Sequence, residues 1–163
     1  MSRIKDIHVC LLIVGSGSMR QELEVSAKAQ KINHRFCEHI KNVDLYKYYA
    51  LADVFVLPSI TTQDFKEPWG LVINEAMNQS CPIIATTAVG AAEGGLVEQG
   101  KNGFVVFERS SGELAKAIRE ILSDDDLRQR MGQYSKNKIK DWTIEKSVED
   151  LENVIGKFLN KKQ

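Results

Sequence analysis

The sequence predicts an α/β fold with a doubly wound parallel sheet, and two observations carry that prediction. Short apolar runs alternate along the chain with segments of helical periodicity, which is the order that βαβ units require. Several of the runs are apolar throughout, as expected of parallel strands that helices cover on both faces. The chain therefore predicts one Rossmann-like domain, residues 1–163, that ends in a block of helices.

The predicted strands are apolar runs that a glycine, a proline or a polar residue ends. The run HVCLLIV leads directly into Gly15-Ser16-Gly17 and is expected to be a fully buried strand, and Pro58 ends the run VFVL. The strands are expected at residues 8–14, 34–37, 54–57, 82–85 and 103–107.

Helical periodicity fills the intervals between the strands and then continues to the C-terminus. Helices are predicted at residues 19–31, 44–52, 70–79, 112–122, 125–138 and 143–159, with a short helical piece in the glycine-rich stretch 89–100. The last helix carries apolar residues at core spacing. Those expected to pack inward are Val148, Leu151, Val154, Ile155 and Phe158. The tail, residues 160–163, is expected to fray.

Charge and hydropathy exclude two broad classes of function. Because 22 basic residues balance 22 acidic ones, the chain lacks the net positive field that draws proteins to nucleic acid, and no nucleic-acid partner is expected. The longest unbroken apolar run, residues 9–14, is too short to span a bilayer, and the charged N-terminal segment does not resemble a signal peptide. The expected location is the cytoplasm.

The cysteines and histidines do not form a metal-binding pattern. Cys10, Cys37 and Cys81 are widely separated and lie beside apolar residues, so they are expected to be reduced core cysteines. The histidines form no pair at ligand spacing, and neither a protein-bound metal nor another cofactor is expected.

The loops that follow the strands are the candidate sites, because ligands of open α/β sheets bind beyond the carboxyl ends of the strands. The first loop, with Gly15 and Gly17, begins like a dinucleotide fingerprint but has Arg20 at the third glycine position. Glu38 lies where an acidic residue would bind a ribose, as in a nicotinamide- or flavin-binding module. The alternative interpretation is a tight strand-to-helix turn that requires small residues.

The stretch EPWGLVINE, residues 67–75, carries the strongest candidate. Pro68 lacks the amide that would be left without a partner in a first helical turn, so it fits the start of a helix. The amides of Gly70, Leu71 and Val72 would then point out of the helix towards the strand ends. Such amides, together with the helix dipole, favour an anion the size of a phosphate.

Two glutamates flank this predicted helix start. Glu75 lies one turn past Leu71 on the same face, where a carboxylate can accept two hydroxyls of a ribose whose phosphate is bound at the amides. Its apolar neighbours predict that Glu75 is partly buried and needs partners. Glu67 lies in the preceding loop, on the ligand side. The alternative makes Glu67 a partner of the helix dipole and Glu75 a solvated charge.

The residues in this order resemble a known family. The segments are LLIVGSG, RFCEHI, DLYKYYALADVFVLPS, EPWGLVINEAM, CPIIATTAVGAAE, GKNGFVV and DWT. They are similar to the C-terminal, nucleotide-sugar-binding domain of retaining glycosyltransferases with the GT-B fold, the large family four. The resemblance covers about residues 8–159, nearly the whole chain.

The resemblance implies a role for each matched position. Glu67 would lie against the transferred sugar and take part in catalysis, and Glu75 would hold the nucleotide ribose. The other matched positions are the amides of Gly70, Leu71 and Val72 at the distal phosphate, Phe65 and Lys66 near the donor sugar, and His39 and Ile40 in the turn that lines the base.

The resemblance also implies an activity and its partners. The reaction would be hexosyl transfer from a UDP-, GDP- or ADP-sugar with retention at the anomeric carbon, commonly without a metal, in glycan biosynthesis. The acceptor, a glycan or a lipid-linked molecule at the membrane surface, would be bound by another domain. The full enzyme would then lie at the inner face of the membrane.

The chain departs from this family in length. Family members have an acceptor-binding half first, and their nucleotide domain begins with a central strand and a GR…KG segment that gives an arginine and a lysine to the diphosphate. Neither is found here. The chain is therefore expected to be the donor-binding half, inactive alone and completed by another part or chain. A vestigial, non-catalytic fragment is the other hypothesis, beside the dinucleotide-binding module.

Overall fold

The computed structural model describes residue 4 and residues 7–160 of the chain. The strands are β1 (Leu11–Val14), β2 (His34–Cys37), β3 (Phe55–Leu57), β4 (Ile83–Thr86) and β5 (Gly103–Val106). The helices are α1 (Arg20–Ala29), α2 (Leu45–Ala50), α3 (Leu71–Asn78), α4 (Gly90–Glu93), α5 (Ser111–Leu122), α6 (Asp125–Lys138) and α7 (Ile144–Asn160). Short 3-10 helices at Asn42–Asp44 and Ile139–Asp141 precede α2 and follow α6. Of the tail expected to fray, 160–163, Asn160 ends α7 and the rest lies outside the described residues.

The predicted α/β class is confirmed, since every strand pair is parallel and helices follow the strands. The strands form two sheets, however, with the orders β1-β2 and β3-β4-β5. Among the described residues, β1 pairs only with β2, and β3 pairs only with β4.

The core lies around β4, whose four residues are all buried. Ile83 and Ala85 face a cluster that includes Ile73 and Met77 of α3. Ile84, between them, faces the opposite cluster, which contains residues of β5, α5 and α6. Alternate side chains of a strand point to opposite faces, so β4 is covered on both sides and anchors the larger sheet.

The ends of α5 and α6 follow ordinary capping rules. Ser110 accepts a hydrogen bond from the Glu113 amide at 3.4 Å, and Glu113 accepts one from the Phe107 amide at 3.0 Å. Asp124 caps α6 through the Leu127 amide at 2.8 Å. These caps satisfy amides that would otherwise lack an acceptor, and Glu113 also ties the start of α5 to the residue that follows β5.

The prediction for the last helix is wrong on its packing. α7 forms where expected, but Val148, Leu151, Val154, Ile155 and Phe158 are 49–71% exposed. Periodicity identifies an apolar face and does not show what covers it. The apolar face of α7 therefore forms no part of the core.

The smaller sheet is also less buried than predicted. β1 begins at Leu11, and its residues alternate between half-buried and exposed instead of being buried throughout. Cys10 is exposed and Cys37 is half-buried, so of the cysteines expected in the core only Cys81 lies there. The apolar composition of the run was not enough to bury it, because a buried strand also needs helices on both faces.

Candidate functional site

Helix α3 begins directly after Gly70, as the sequence predicts. Gly70 precedes it with a left-handed φ of 91°, and a side chain there would meet Leu57 Cδ2 at 2.7 Å and Val89 Cγ1 at 3.1 Å. Both conditions require glycine. The Ile73 amide donates to the Gly70 carbonyl at 2.8 Å, whereas the amides of Leu71 and Val72 have no backbone acceptor within the described residues.

The segment before α3, residues 67–69, is fixed by the loop that follows β4. The Gly90 amide donates to the Glu67 carbonyl at 3.0 Å, and the Ala91 amide donates to the Trp69 carbonyl at 2.9 Å. Only glycine fits at position 90, because a Cβ there would lie 1.8 Å from the Pro68 oxygen. These backbone contacts hold the segment beyond the ends of β3 and β4, where a ligand of an α/β sheet is expected.

Glu67 itself is half-buried, and its carboxylate forms no hydrogen bond or ion pair with the part of the chain that is described. Its backbone is fixed by Gly90 while its side chain stays available for a ligand. The neighbouring Trp69 is a structural anchor: its Nε1 donates to Asn74 Oδ1 at 3.1 Å, and its ring lies 5.1 Å from that of Trp142.

Glu75 has a partner that sequence analysis did not identify. The Tyr49 hydroxyl donates to Glu75 Oε2 at 2.7 Å, which links α2 to α3. Burial, followed by this bond to a carboxylate, raises the pKa of Tyr49 above its ordinary value. The expectation that Glu75 is partly buried is wrong, because the residue is exposed. Its carboxylate is therefore held by Tyr49 and still open to solvent.

The loop between β3 and α3 presents Phe65 and Lys66. Phe65 is 55% exposed. Its amide and carbonyl both bond to Thr62, which closes a short turn. Lys66 Nζ lies 2.7 Å from Glu93 Oε1, at the end of α4. The loops after β3 and β4 are thus joined by an ion pair as well as by backbone bonds.

His39 and Ile40 line a cavity of about 350 Å³ together with Lys41, Asp44, Lys47 and Tyr48. His39 has a left-handed φ of 54° and an exposed side chain. Tyr48, on α2, precedes the residue that binds Glu75. One short helix therefore contacts both the cavity and the carboxylate at α3.

Gly15 and Gly17 lie in the loop between β1 and α1, beside the smaller sheet. Gly15 has a φ of 128°, and a Cβ at either glycine would meet nothing within 4 Å. No hydrogen bond or ion pair joins their loop to the start of α3 among the residues that the structure describes. Arg20 Nη1 lies 2.5 Å from Glu38 Oε1, and its guanidinium covers the Phe36 ring. Glu38 is thus occupied by Arg20, which disfavours the dinucleotide-binding hypothesis.

The residues that sequence analysis missed are contributed by α2 and by the residue just before it. Tyr49 holds Glu75, while Asp44, Lys47 and Tyr48 line the cavity. The segment DLYKYYA is predicted as a short helix and contributes to the family resemblance, but none of its residues is predicted in the site. Its signal lay in the adjacent tyrosines, since consecutive helical residues point in different directions and can contact two parts of one site.

The α/β arrangement of parallel sheets and helices matches solved structures of glycosyltransferases with the GT-B fold. The chain belongs to the glycosyl transferases group 1 family, whose model matches residues 1–138. The predicted fold and the predicted glycosyltransferase membership are confirmed at this level.

Relatives and solved structures agree with this membership. Spore coat protein SA of Bacillus subtilis is 32% identical over 117 residues, covering 71% of this chain and 29% of its own length. The capsular polysaccharide biosynthesis glycosyltransferase CapM of Staphylococcus aureus is 26% identical over 167 residues, covering 98% of this chain and 40% of its own. HepE from Anabaena, solved in complex with UDP, superposes with a TM-score of 0.70 at 26% identity, over 82% of this chain and 36% of that one.

The chain thus spans well under half the length of these relatives. Within residues 4 and 7–160, no helix has the length and apolar character needed to cross a membrane. Nor do those residues bring three His, Cys, Asp or Glu side chains together as a metal site. That the reaction needs no metal stays a prediction.

Proposed function

We propose that this chain binds the donor, a nucleoside-diphosphate sugar, for a retaining glycosyltransferase of family four. The observation that carries the proposal is the start of α3, where the amides of Leu71 and Val72 lack backbone acceptors and Glu67 and Glu75 lie on either side. Exposed amides at a helix N-terminus favour phosphate, whereas a carboxylate favours hydroxyl donors. This pairing suits a molecule that carries both groups.

The donor would extend from α3 towards the turn of His39. Its distal phosphate would bind the amides of residues 70–72, and Glu75, held by Tyr49, would accept hydrogen bonds from the ribose hydroxyls. The base would then enter the cavity beside Ile40 and Tyr48, which α2 connects to Glu75. The relative HepE, which was solved with UDP, supports a nucleotide of this kind.

The sugar would lie at the other end, near Glu67, Phe65 and Lys66. Glu67 takes part in catalysis because its backbone is fixed by Gly90 while its carboxylate stays unpaired among the described residues. The charge that develops on the leaving diphosphate is stabilised in part by the α3 amides. We assign retention at the anomeric carbon by the family resemblance, and Glu67 is given no covalent step.

The acceptor would bind outside this chain, in a domain or partner chain that completes the enzyme at the inner face of the membrane. Two features support a donor-binding half that is inactive alone. The chain covers 29–40% of its relatives' lengths, and its strands form two separate sheets in the described residues. An arginine and a lysine for the diphosphate would come with the completing part, worth roughly 1.5–3 kcal/mol for each charged hydrogen bond.

Calorimetric titration of the chain with UDP, GDP and ADP tests the proposal. One nucleotide is expected to bind, and Glu75→Ala should weaken its affinity roughly 10- to 100-fold, since bonds to a charged acceptor contribute roughly 1.5–3 kcal/mol. Glu152→Ala, which removes an exposed glutamate of α7, is the matched control and should leave the affinity unchanged.

Each contrary outcome has a distinct meaning. Absence of binding to all three nucleotides would contradict the proposal and favour the vestigial-fragment hypothesis. Quenching of Trp69 or Trp142 fluorescence by NADH, without binding of UDP, GDP or ADP, would favour the dinucleotide hypothesis instead. Equal affinities in the Glu75→Ala and Glu152→Ala variants would remove Glu75 from the site.

A further inference from the structure

Thr61, in the loop between β3 and α3, is held at all three of its hydrogen-bonding groups by two adjacent residues. Its amide donates to Glu108 Oε2 at 2.6 Å, and its hydroxyl donates to Glu108 Oε1 at 2.9 Å. Its carbonyl accepts from Arg109 Nη2 at 2.9 Å. Two charged side chains from one loop therefore fix a single residue of another loop.

Glu108 and Arg109 follow β5, an edge strand of the larger sheet on the side of β4 opposite to β3. Arg109 has a φ of 63°, a left-handed conformation that a residue with a side chain rarely adopts. Such a conformation persists only where surrounding contacts impose it. The Thr61 amide and hydroxyl lower the pKa of Glu108, so the carboxylate remains charged in this contact.

The contact completes a set of anchors along the loop that carries the proposed sugar-binding residues. Ser59 is held through its carbonyl by the Thr86 hydroxyl at 2.5 Å, and Glu67 is held through its carbonyl by the Gly90 amide. Between Thr61 and Glu67 the chain is closed on itself by bonds between Thr62 and Phe65. Once both ends are fixed, this closed turn has a single place in which to present Phe65 and Lys66.

The neighbouring contacts differ in origin. Ser59 is held by Thr86, the last residue of β4, and Glu67 is held by Gly90, at the start of α4, which follows β4; β4 lies next to β3 in the sheet. The anchor at Thr61 comes from beyond β5, one strand further away, and is made by the side chains of two loop residues. A bond between side chains and a loop backbone can be removed by substitution without disturbing a strand, so its contribution to the site can be measured.

We propose that Glu108 and Arg109 are positioning residues that set the recognition of the donor's sugar, by fixing the loop that presents Phe65 and Lys66. The proposal rests on the donor-binding function proposed above. It separates two parts of the site: the nucleotide is recognised at α3 and α2, and the sugar is recognised by a loop whose place is determined from beyond β5.

Calorimetry of the full chain with UDP and with UDP-glucose, and likewise with GDP and GDP-mannose, tests this separation. The measured quantity is the ratio of the two dissociation constants, nucleotide against nucleotide-sugar. Glu108→Ala and Arg109→Gly are expected to reduce the advantage of the nucleotide-sugar about five- to tenfold, because charged hydrogen bonds are lost, and to leave the nucleotide's own affinity within about twofold. Arg109→Gly also relieves the left-handed backbone, so its effect does not reflect misfolding.

Two further variants distinguish positioning from a general loss of structure. Glu108→Gln keeps an oxygen for the Thr61 amide and should restore most of the advantage. Glu113→Ala removes a carboxylate that accepts the Phe107 amide in the same loop but does not contact Thr61, so the ratio should stay at the wild-type value. Hydrogen exchange of residues 59–66 should rise in Glu108→Ala and remain unchanged in Glu113→Ala.

The outcomes separate this inference from the function on which it rests. Nucleotide binding with an unchanged ratio in Glu108→Ala overturns the positioning role alone. Unchanged exchange in residues 59–66 overturns it as well, whether or not a nucleotide binds. If the wild-type chain binds none of the four probes, the proposed function fails and this inference fails with it.

Discussion

The two sheets of this molecule contain similar apolar strands but are buried to very different degrees. β4, at the centre of the larger sheet, has four buried residues out of four. Among the described residues from 7 to 41, which include β1, α1 and β2, Ala27 alone is buried. The smaller region, residues 7–41, and the larger region, which contains the sheet β3-β4-β5 and the helices packed on it, therefore both have apolar strands. Only the larger region is closely packed.

The difference divides the proposed site into a fixed part and an adaptable part. Gly70 and Gly90 are in contact with the backbone or side chains of the larger region, which holds the start of α3 in place. The turn of His39 and the loop of Gly15 lie in the smaller region, with open space around the glycine. Regions with few buried contacts open most easily, so ligand-dependent ordering is expected in the smaller region first.

The largest expected difference between the regions is in the stability lost when an apolar side chain is shortened to alanine. Ile121 is fully buried. Ile121→Ala should therefore lower the free energy of unfolding by about 2–5 kcal/mol, since the lost contacts leave a cavity. Leu23 of α1 is 44% exposed, and Leu23→Ala should cost no more than about 0.5 kcal/mol.

Urea denaturation followed by tryptophan fluorescence measures this difference, because Trp69 and Trp142 contact each other in the larger region. The midpoint should fall clearly for Ile121→Ala and stay in place for Leu23→Ala. Similar shifts for both variants would mean that the two regions are equally packed, and the comparison drawn from burial would be wrong.

The next largest effect is expected when a glycine in each region is replaced by alanine. Gly90→Ala would place a Cβ 1.8 Å from the Pro68 oxygen, so the backbone must move, at a cost of about 1–3 kcal/mol. A Cβ at Gly17 would meet nothing within 4 Å, and Gly17→Ala should change stability by less than about 0.5 kcal/mol.

The same pair also tests the site. Because Gly90 fixes the backbone of Glu67, Gly90→Ala should weaken nucleotide-sugar binding measured by calorimetry as well as thermal stability. A Gly90→Ala chain that keeps the wild-type melting temperature and affinity would show that the contact between residues 67–69 and the β4 loop is dispensable.

Sequence patterns predicted the features that depend on local chemistry. The run VFVL before Pro58 contains β3, and Gly70 lies at the start of α3, because turn residues and periodicity act over a few neighbours. The open amides of Leu71 and Val72 were predicted for the same reason, and their binding of an anion stays a prediction. A helix start preceded by a proline and a glycine already determines which amides are open.

Features that depend on distant segments were not predicted. The apolar face of α7 was expected in the core and is exposed, because periodicity does not identify a partner. Tyr49 lies 26 positions from Glu75, and Glu108 lies 47 positions from Thr61. Contacts over such separations depend on the order of the strands in the sheet, and a single sequence does not reveal that order.

The smallest expected effect is a pH dependence that belongs to the larger region. Glu98, in the loop between α4 and β5, bonds to Lys101 at 2.7 Å and to Tyr134 at 3.1 Å, and it also pairs with Lys138 of α6. Lys101 and then Lys138 lower the pKa of Glu98 from its usual 4.5 to about 2. These contacts fasten α6 to the loop that leads into β5.

Because the pKa of Glu98 is lower in the folded chain, its ionised form stabilises the fold. This contribution is complete above about pH 5 and is lost as the pH falls from the usual 4.5 to about 2. Glu98→Gln should therefore be less stable than the wild type by about 1 kcal/mol or less at neutral pH, and the difference should vanish towards pH 2. Urea denaturation at several pH values measures it, and Lys138→Met should narrow the same window because one of the cations is gone. A difference in the free energy of unfolding between wild type and Glu98→Gln that persists unchanged at pH 2 would assign the effect to packing. The contact between α6 and this loop would then depend on the shape of the side chain rather than on its charge.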